Sequence, residues 1–205
     1  MNKGLVYLVD DDAAIRDALA WLLSTRGIQS SAWSSAESFL ADYRPDMSGC
    51  LILDIRMTGM TGIKLYDQLL ALGCAMPVIF LTGHGDVPLA VKALKRGAFD
   101  FIEKPLNDNE LVDRVVEALK SEESRRWRDA DRAEVEERFA TLTEREREVM
   151  TGILAGKLNK VIADDLQIAM RTVEVHRAHI FEKMGVRSAV ELAQRLSAHA
   201  ATGSR

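Results

Sequence analysis

Cys50-Leu51-Ile52-Leu53-Asp54-Ile55-Arg56-Met57 is the stretch on which the fold of this 205-residue chain turns. From Cys50 to Leu53 the run is apolar without alternation, the pattern of a strand buried on both faces in a parallel sheet. Asp54 falls at the end of that strand, and ligands of open α/β sheets bind outside the carboxyl ends of strands. Taken alone, Asp54 is more simply the cap of a following turn. Three other runs change that reading. Leu5–Val9 ends in Asp10, Asp11 and Asp12, Val78–Leu81 ends in Thr82, and Phe99–Ile102 leads into Glu103-Lys104-Pro105. Acids, a hydroxyl and an ammonium are delivered to one edge.

Between these strands the continuous apolar runs give way to an apolar period of about 3.6. Ile15, Leu19, Leu22 and Leu23 mark a helix capped by Asp12 and stopped at Gly27. Gln29–Trp33 reads as a short strand, and Ser34 or Ser35 caps a helix carrying Phe39 and Leu40. A glycine-containing loop with Gly59 and Gly62 precedes a helix over Ile63–Leu72, whose Ile63, Tyr66, Leu69 and Leu70 share a face. Asp86 caps a helix running from Pro88 to Lys95, closed by Gly97. A last helix begins near Asp108, with Leu111, Val115 and Leu119 in register. Strands alternating with helices imply right-handed crossovers and a parallel sheet, here the flavodoxin-like doubly wound fold with five strands. No glycine fingerprint follows the first strand, which argues against a dinucleotide site.

Hydrophobic residues make up 47% and charged residues 28%, as in globular proteins. Asp10–Asp12 interrupt the N-terminal apolar run too early for a secretory signal, and no run reaches the roughly 18 apolar residues of a membrane span. Cys50 and Cys74 lack metal-ligand spacing, which with the rest places the chain in a reducing cytoplasm. The net charge of −4 is uneven, with 12 basic and 16 acidic residues in 1–121, but 10 and 8 in 141–205. Residues 122–140, where five arginines alternate with seven acids around Trp127, Val135 and Phe139, read as a solvated helical linker continuing the preceding helix. Thr143 and Glu146 form a capping box, as do Ser188 and Glu191, so 141–205 reads as four helices with a helix-turn-helix at their centre.

Asp10, Asp11 and Asp54 at one sheet edge repel one another unless a cation lies among them, and an all-oxygen set suits Mg²⁺. An ionised aspartate beside such a cation is a competent nucleophile towards phosphorus. Lys104 would neutralise the transferred group and Thr82 would bond one of its oxygens. Residues 1–121 resemble the receiver domain of two-component response regulators, through Val9-Asp10-Asp11, Leu53-Asp54-Ile55-Arg56-Met57, Leu81-Thr82-Gly83-His84-Gly85 and Glu103-Lys104-Pro105. The resemblance implies that Asp54 is the phosphoacceptor and that Asp10 and Asp11 form the Mg²⁺ pocket, with Asp11 the direct ligand and Arg56 adding its backbone carbonyl. It implies further that Thr82 is the switch hydroxyl, Phe101 the aromatic that moves with it, Lys104 the phosphate-binding lysine and Lys104–Pro105 a cis bond. One departure is Thr58, where the family usually has proline. Asp12 is read as a helix cap, and His84 as a loop residue rather than a phosphate relay.

Residues 141–205 resemble the LuxR-type helix-turn-helix through Leu142-Thr143-Glu144-Arg145-Glu146, Asn159-Lys160, Ile162-Ala163, Arg171–Arg177 and Lys183-Met184-Gly185-Val186. The tandem resembles the FixJ-like regulators. Val173, Ile180, Phe181 and Met184 would face inward, leaving Arg171, Thr172, Glu174, Val175 and Ala178 towards the major groove of double-stranded promoter DNA. Arg177, Lys183 and Lys160 would hold phosphates. Glu174 is a candidate acceptor from cytosine or merely an exposed acid, and His176 is either half-buried packing or a phosphate ligand. Ala169 stands where a capping serine is common, and Leu158 and Val161 replace the usual Ser and Glu.

The function expected is that of a transcription factor rather than a turnover enzyme. A sensor histidine kinase donates phosphate to Asp54, the protein catalyses only its own phosphorylation and dephosphorylation, and RNA polymerase is a further partner. A homodimer would form through the face carrying Val91, Leu94 and Lys95 beside Phe101, with Asp100 and Glu103 nearby; the alternative is masking of the DNA-binding domain. A haloacid dehalogenase-type phosphatase would need an acid two residues after Asp54, where Arg56 stands. An adaptor that works without phosphorylation would have no use for Asp11, Asp54, Thr82 and Lys104 together.

Overall fold

A computed structural model describes residues 4–83 and 87–202, with side chains 87, 90 and 198–202 outside the description. The expected cap Asp86 and the loop residue His84 lie outside the described residues.

The apolar runs form five parallel strands, β1 (Leu5–Val9), β2 (Gln29–Trp33), β3 (Gly49–Asp54), β4 (Val78–Thr82) and β5 (Asp100–Glu103), in the order β2-β1-β3-β4-β5. Between them lie α1 (Ala13–Thr25), α2 (Ala36–Asp42), α3 (Gly62–Ala71) and α4 (Val87–Lys95), followed by α5 (Asp108–Ala140). Every residue of β3 and β4 is buried, as continuous apolar runs in a doubly covered sheet require. Alternate side chains serve opposite faces. Tyr7, Val9, Leu51, Leu53 and Phe80 join Phe39 of α2 and Leu65, Tyr66 and Leu69 of α3. Val6, Leu8, Cys50, Ile52, Ile79 and Leu81 join Leu19, Leu22 and Leu23 of α1 and Leu111, Val112 and Val115 of α5.

Local signals settle the helix starts. Asp12 accepts the Ala14 N–H at 2.8 Å, and Ser35 rather than Ser34 caps α2. The expected inner face of α3 needs one correction. Leu65 is buried there, whereas Leu70 is exposed, because the core-facing stripe runs through 65, 66 and 69.

The chain divides into two compact units, Met1–Arg126 and Trp127–Arg205, and α5 runs without a break across that boundary. That boundary falls within the expected linker of 122–140. Residues 126–134 are helical and exposed throughout, as a solvated linker would be, but Val135 is 1% exposed and Phe139 packs beside it, in the core formed by α6 (Glu144–Leu154), α7 (Asn159–Leu166), α8 (Met170–Met184) and α9 (Ala189–Thr202). Arg138 of α5 donates to the Lys183 carbonyl, and Glu134 accepts from Arg195 at 2.9 Å. Two apolar residues among many charges carry too little periodic signal to mark that face.

The Thr143–Glu146 capping box forms with both bonds. At the second, Ser188 Oγ accepts the Glu191 N–H, but the Glu191 carboxylate accepts from Arg187 N–H, one residue before the expected partner. Leu166 and Met170 bracket the turn of the helix-turn-helix, where Gln167 adopts φ 54 and its N–H and that of Ile168 return to the carbonyls of Asp164 and Ala163.

Candidate functional site

Strand register assembles the pocket. Val9 lies opposite Leu53 and Asp54 opposite Leu81, so Asp10 falls beside Asp54 and Thr82 one step further along β4. Thr82 lies opposite Glu103, and the Lys104 N–H donates to the Thr82 carbonyl at 2.7 Å. A slip of one residue between any of these strands would turn the polar group into the core, so the hydrophobic register itself positions the chemistry. Gly62 is required at the start of α3, since a Cβ there would meet the Asp54 carbonyl oxygen at 2.0 Å.

Asp10 and Asp54 are buried, at 2% and 6% exposure, while Asp11 is exposed. Carboxylate oxygens from all three lie within 4.8 Å of one another. Lys104 Nζ donates to Asp54 Oδ1 at 2.7 Å and to Asp10 Oδ2 at 3.0 Å. Burial pushes the Asp54 carboxyl above its ordinary range, against the pull of Lys104. Burial alone would lower the Lys104 ammonium, but its bonds to Asp54 and Asp10 outweigh that and raise it. One ammonium thus stands against three carboxylates, a surplus of negative charge at an all-oxygen donor set that fits a hard divalent cation such as Mg²⁺. The Thr82 hydroxyl is fully buried and has no hydrogen-bond partner among the described residues. An orphaned buried hydroxyl is costly and marks a group that awaits a ligand.

The expected cis bond is present between Lys104 and Pro105. Phe101 is half-buried against the core. On the neighbouring α4, Val91 is 40% exposed and Lys95 is exposed, whereas Leu94 turns partly into the core. Asp100 is ion-paired with Arg114 at 3.1 Å within the chain. Asp11 holds a bond that the sequence did not suggest: Thr58 donates both its N–H and its hydroxyl to Asp11 Oδ2, each at 2.8 Å. These two bonds hold the Asp11 carboxyl below its usual range.

In the second unit, Val173, Ile180 and Met184 of α8 are fully buried and Phe181 packs beside them, as their spacing requires. Arg171, Thr172, Glu174, Val175 and Ala178 are exposed together, as is Lys160 of α7. Arg177 lies with its guanidinium 5.3 Å from the Phe181 ring centroid. His176 is half-buried, and its Nδ1 is buried without a partner among the described residues. Lys183, the other expected phosphate ligand, is engaged within the unit. Its ammonium is bound to the buried Glu146 at 2.7 Å and to the Thr141 carbonyl.

The profile of the response regulator receiver domain matches residues 6–116, and that of bacterial regulatory proteins of the luxR family matches residues 140–196. The C4-dicarboxylate transport transcriptional regulatory protein DctR of Rhodobacter capsulatus is 50% identical over 191 residues, 92% of this chain and 97% of that protein. The transcriptional regulatory protein FixJ of Bradyrhizobium diazoefficiens is 43% identical over 192 residues, 93% of each. Among solved structures, the response regulator StyR superposes with a TM-score of 0.88 at 39% identity, over 95% of this chain and 98% of that one. Full-length FixJ from B. japonicum gives a TM-score of 0.61 at 40% identity, over 98% and 99%.

Proposed function

Given that this chain belongs to the two-component response regulators that join a receiver to a LuxR-type helix-turn-helix, and so regulates transcription by phosphorylation-dependent DNA binding, we propose that Asp54 is the residue phosphorylated. The observation that carries this is a buried Asp54 gripped by Lys104 beside a buried hydroxyl, that of Thr82, which has no partner among the described residues. An Asp54 carboxylate oxygen attacks the phosphorus of a phosphohistidine on a sensor kinase. The P–N bond breaks, the imidazole leaves with the electron pair, and an acyl phosphate remains on Asp54. Lys104 follows the charge from the carboxylate to the phosphoryl oxygens, and the Thr82 hydroxyl donates to one of them. A bound Mg²⁺ would supply neutralisation of the remaining charge, held by Asp10, Asp11, Asp54 and the Arg56 carbonyl. Hydrolysis of the acyl phosphate by water restores Asp54, so the chain turns over only its own modification.

Movement of Thr82 towards the phosphoryl group opens space beside Phe101, which leaves the face of Val91, Leu94 and Lys95 as the surface to be remodelled. The exposure of Val91 and Lys95 supports a two-fold dimer there. Two recognition helices held about 34 Å apart would then read a pseudo-palindromic promoter. Arg171, Thr172, Glu174 and Val175 face the bases, while Lys160, His176 and Arg177 hold the phosphates, and RNA polymerase is recruited beside them. Phosphorylation of the full chain by acetyl phosphate with Mg²⁺, read by phosphate-affinity gels and by ultracentrifugation, tests this. The wild type gains one acid-stable, base-labile phosphate and doubles in mass; Asp54→Asn does neither. Labelling that persists in Asp54→Asn overturns the assignment, and labelling without a mass change replaces dimerisation by masking.

A further inference from the structure

The loop that follows Asp54 is tied down at two points. Met60 N–H donates to Glu37 Oε1 at 2.8 Å, with Gly59 at φ 81 making the bend between Thr58 and Met60. The other tie is Thr58, whose N–H and hydroxyl converge on the single oxygen Oδ2 of Asp11. Asp11 stands on the turn after β1, and Arg56, two residues before Thr58, on the loop after β3. Thr58 therefore joins the two segments whose oxygens are the proposed cation ligands. A carboxylate oxygen that accepts two donors at 2.8 Å is saturated on that side, which turns the other oxygen of Asp11 into the one available to a cation.

We infer that Thr58 is a positioning residue for the divalent cation, a brace that fixes the Asp11 carboxylate and the loop bearing Arg56 in the geometry the ion requires. The inference rests on the cation reading of the pocket given above. Outer donors that orient a ligating carboxylate reduce the entropy lost when the ion binds, and their removal weakens metal affinity by about tenfold to a hundredfold. The N–H and the hydroxyl act separately. Thr58→Val keeps the first donor and loses the second, Thr58→Pro loses both, and Thr58→Ser keeps both.

The test uses the unphosphorylated full chain, titrated with Mg²⁺ and followed by amide chemical shifts, with Mn²⁺ electron paramagnetic resonance as a second readout. Thr58→Val is expected to bind several-fold more weakly than wild type and Thr58→Pro about tenfold more weakly, with Thr58→Ser within twofold of wild type. Thermal unfolding without metal reports whether each variant is folded, and Thr58→Val, being isosteric, keeps the test open if Thr58→Pro is not. Equal or tighter binding by Thr58→Val and Thr58→Pro overturns the brace, tighter binding meaning that Thr58 competes with the ion. Failure of Thr58→Ser to match the wild type also overturns it. A wild type that takes up neither ion overturns the cation reading itself, and the brace with it.

Discussion

A carboxylate is buried against a lysine at 2.7 Å in each of the two units, Asp54 with Lys104 in the first and Glu146 with Lys183 in the second. Their exposures are alike, at 6% and 3%. Their surroundings are opposite. Asp54 shares its lysine with a second buried acid, Asp10, and lies beside a hydroxyl with no partner among the described residues. Glu146 shares Lys183 only with a neutral carbonyl, that of Thr141, and also accepts the Thr143 N–H at 2.8 Å, completing a capping box. The consequence is visible in proton affinity. Burial wins at Asp54 and pushes its carboxyl up; at Glu146 burial is outweighed by Lys183 and Thr143, and the carboxyl is held down. A satisfied ion pair is architecture, whereas one left short of charge and donors is a site waiting for a ligand.

The widest separation between the pairs should appear when each lysine is removed. Lys104→Met should slow phosphorylation of Asp54 by about 100-fold, the scale of losing one donor aimed at developing charge. Lys183→Met should leave that rate within twofold. Rates from acetyl phosphate, measured on both full-length variants, decide the matter; comparable losses would erase the distinction.

The same two variants exchange roles in a stability measurement. Losing the Lys183 bond to a buried charged partner should destabilise the second unit by about 2 kcal/mol. Hydrogen exchange of α6 and α8 amides in the full chain would register it as faster exchange, while Lys104→Met leaves those amides unchanged. If α6 and α8 keep their protection in Lys183→Met, the Glu146 pair is not the structural tie described.

Acid should weaken the second unit through Glu146. Its folded carboxyl lies below the ordinary value of about 4.3, so its contribution is complete above that pH. It is lost as pH falls through the lower, folded value. Between pH 5 and 3 the urea midpoint of the second unit should therefore drop more steeply in wild type than in Glu146→Gln, which carries no titrating group there. Parallel acid limbs would remove Glu146 as the cause.

The contrast also explains what the sequence revealed. The receiver pocket was legible because each of its parts ends an apolar run: β1 at Asp10, β3 at Asp54, β4 at Thr82 and β5 before Lys104. Both the strands and their register follow from burial, and the polar residues are placed by where burial stops. The exposed face of α8 was legible for the same reason, since Val173, Ile180 and Met184 define its inner stripe. Ties between polar groups distant in sequence were not. Lys183 lies 37 residues from Glu146, and Thr58 lies 47 from Asp11, and no periodicity links either pair. Val135 and Phe139 were hidden differently, as two apolar residues in a charged stretch that becomes core only against helices from further along the chain.

The smallest effect concerns how α8 begins. Thr143 and Ala169 hold N-cap positions with nearly the same backbone, φ −66 and ψ 162 against φ −67 and ψ 144. Only Thr143 adds a side-chain bond. The backbone at Ala169 is thus already arranged for a capping hydroxyl, and Ala169→Ser requires no rearrangement to gain one. Replacing a good cap by alanine costs about 0.5–2 kcal/mol, and the reverse change should recover the lower end of that range. The gain is limited because the N–H groups of Thr172 and Val173 already reach the Ala169 carbonyl, at 2.9 and 3.2 Å, leaving the Arg171 N–H as the main donor to be satisfied. For a unit of this size, about 0.5 kcal/mol raises the unfolding midpoint by about 2–4 °C. Calorimetry of the full chain should find that rise in the transition of the second unit alone. A fall would mean that the serine hydroxyl draws the start of α8 away from its present course, and the DNA affinity of Ala169→Ser would fall with it.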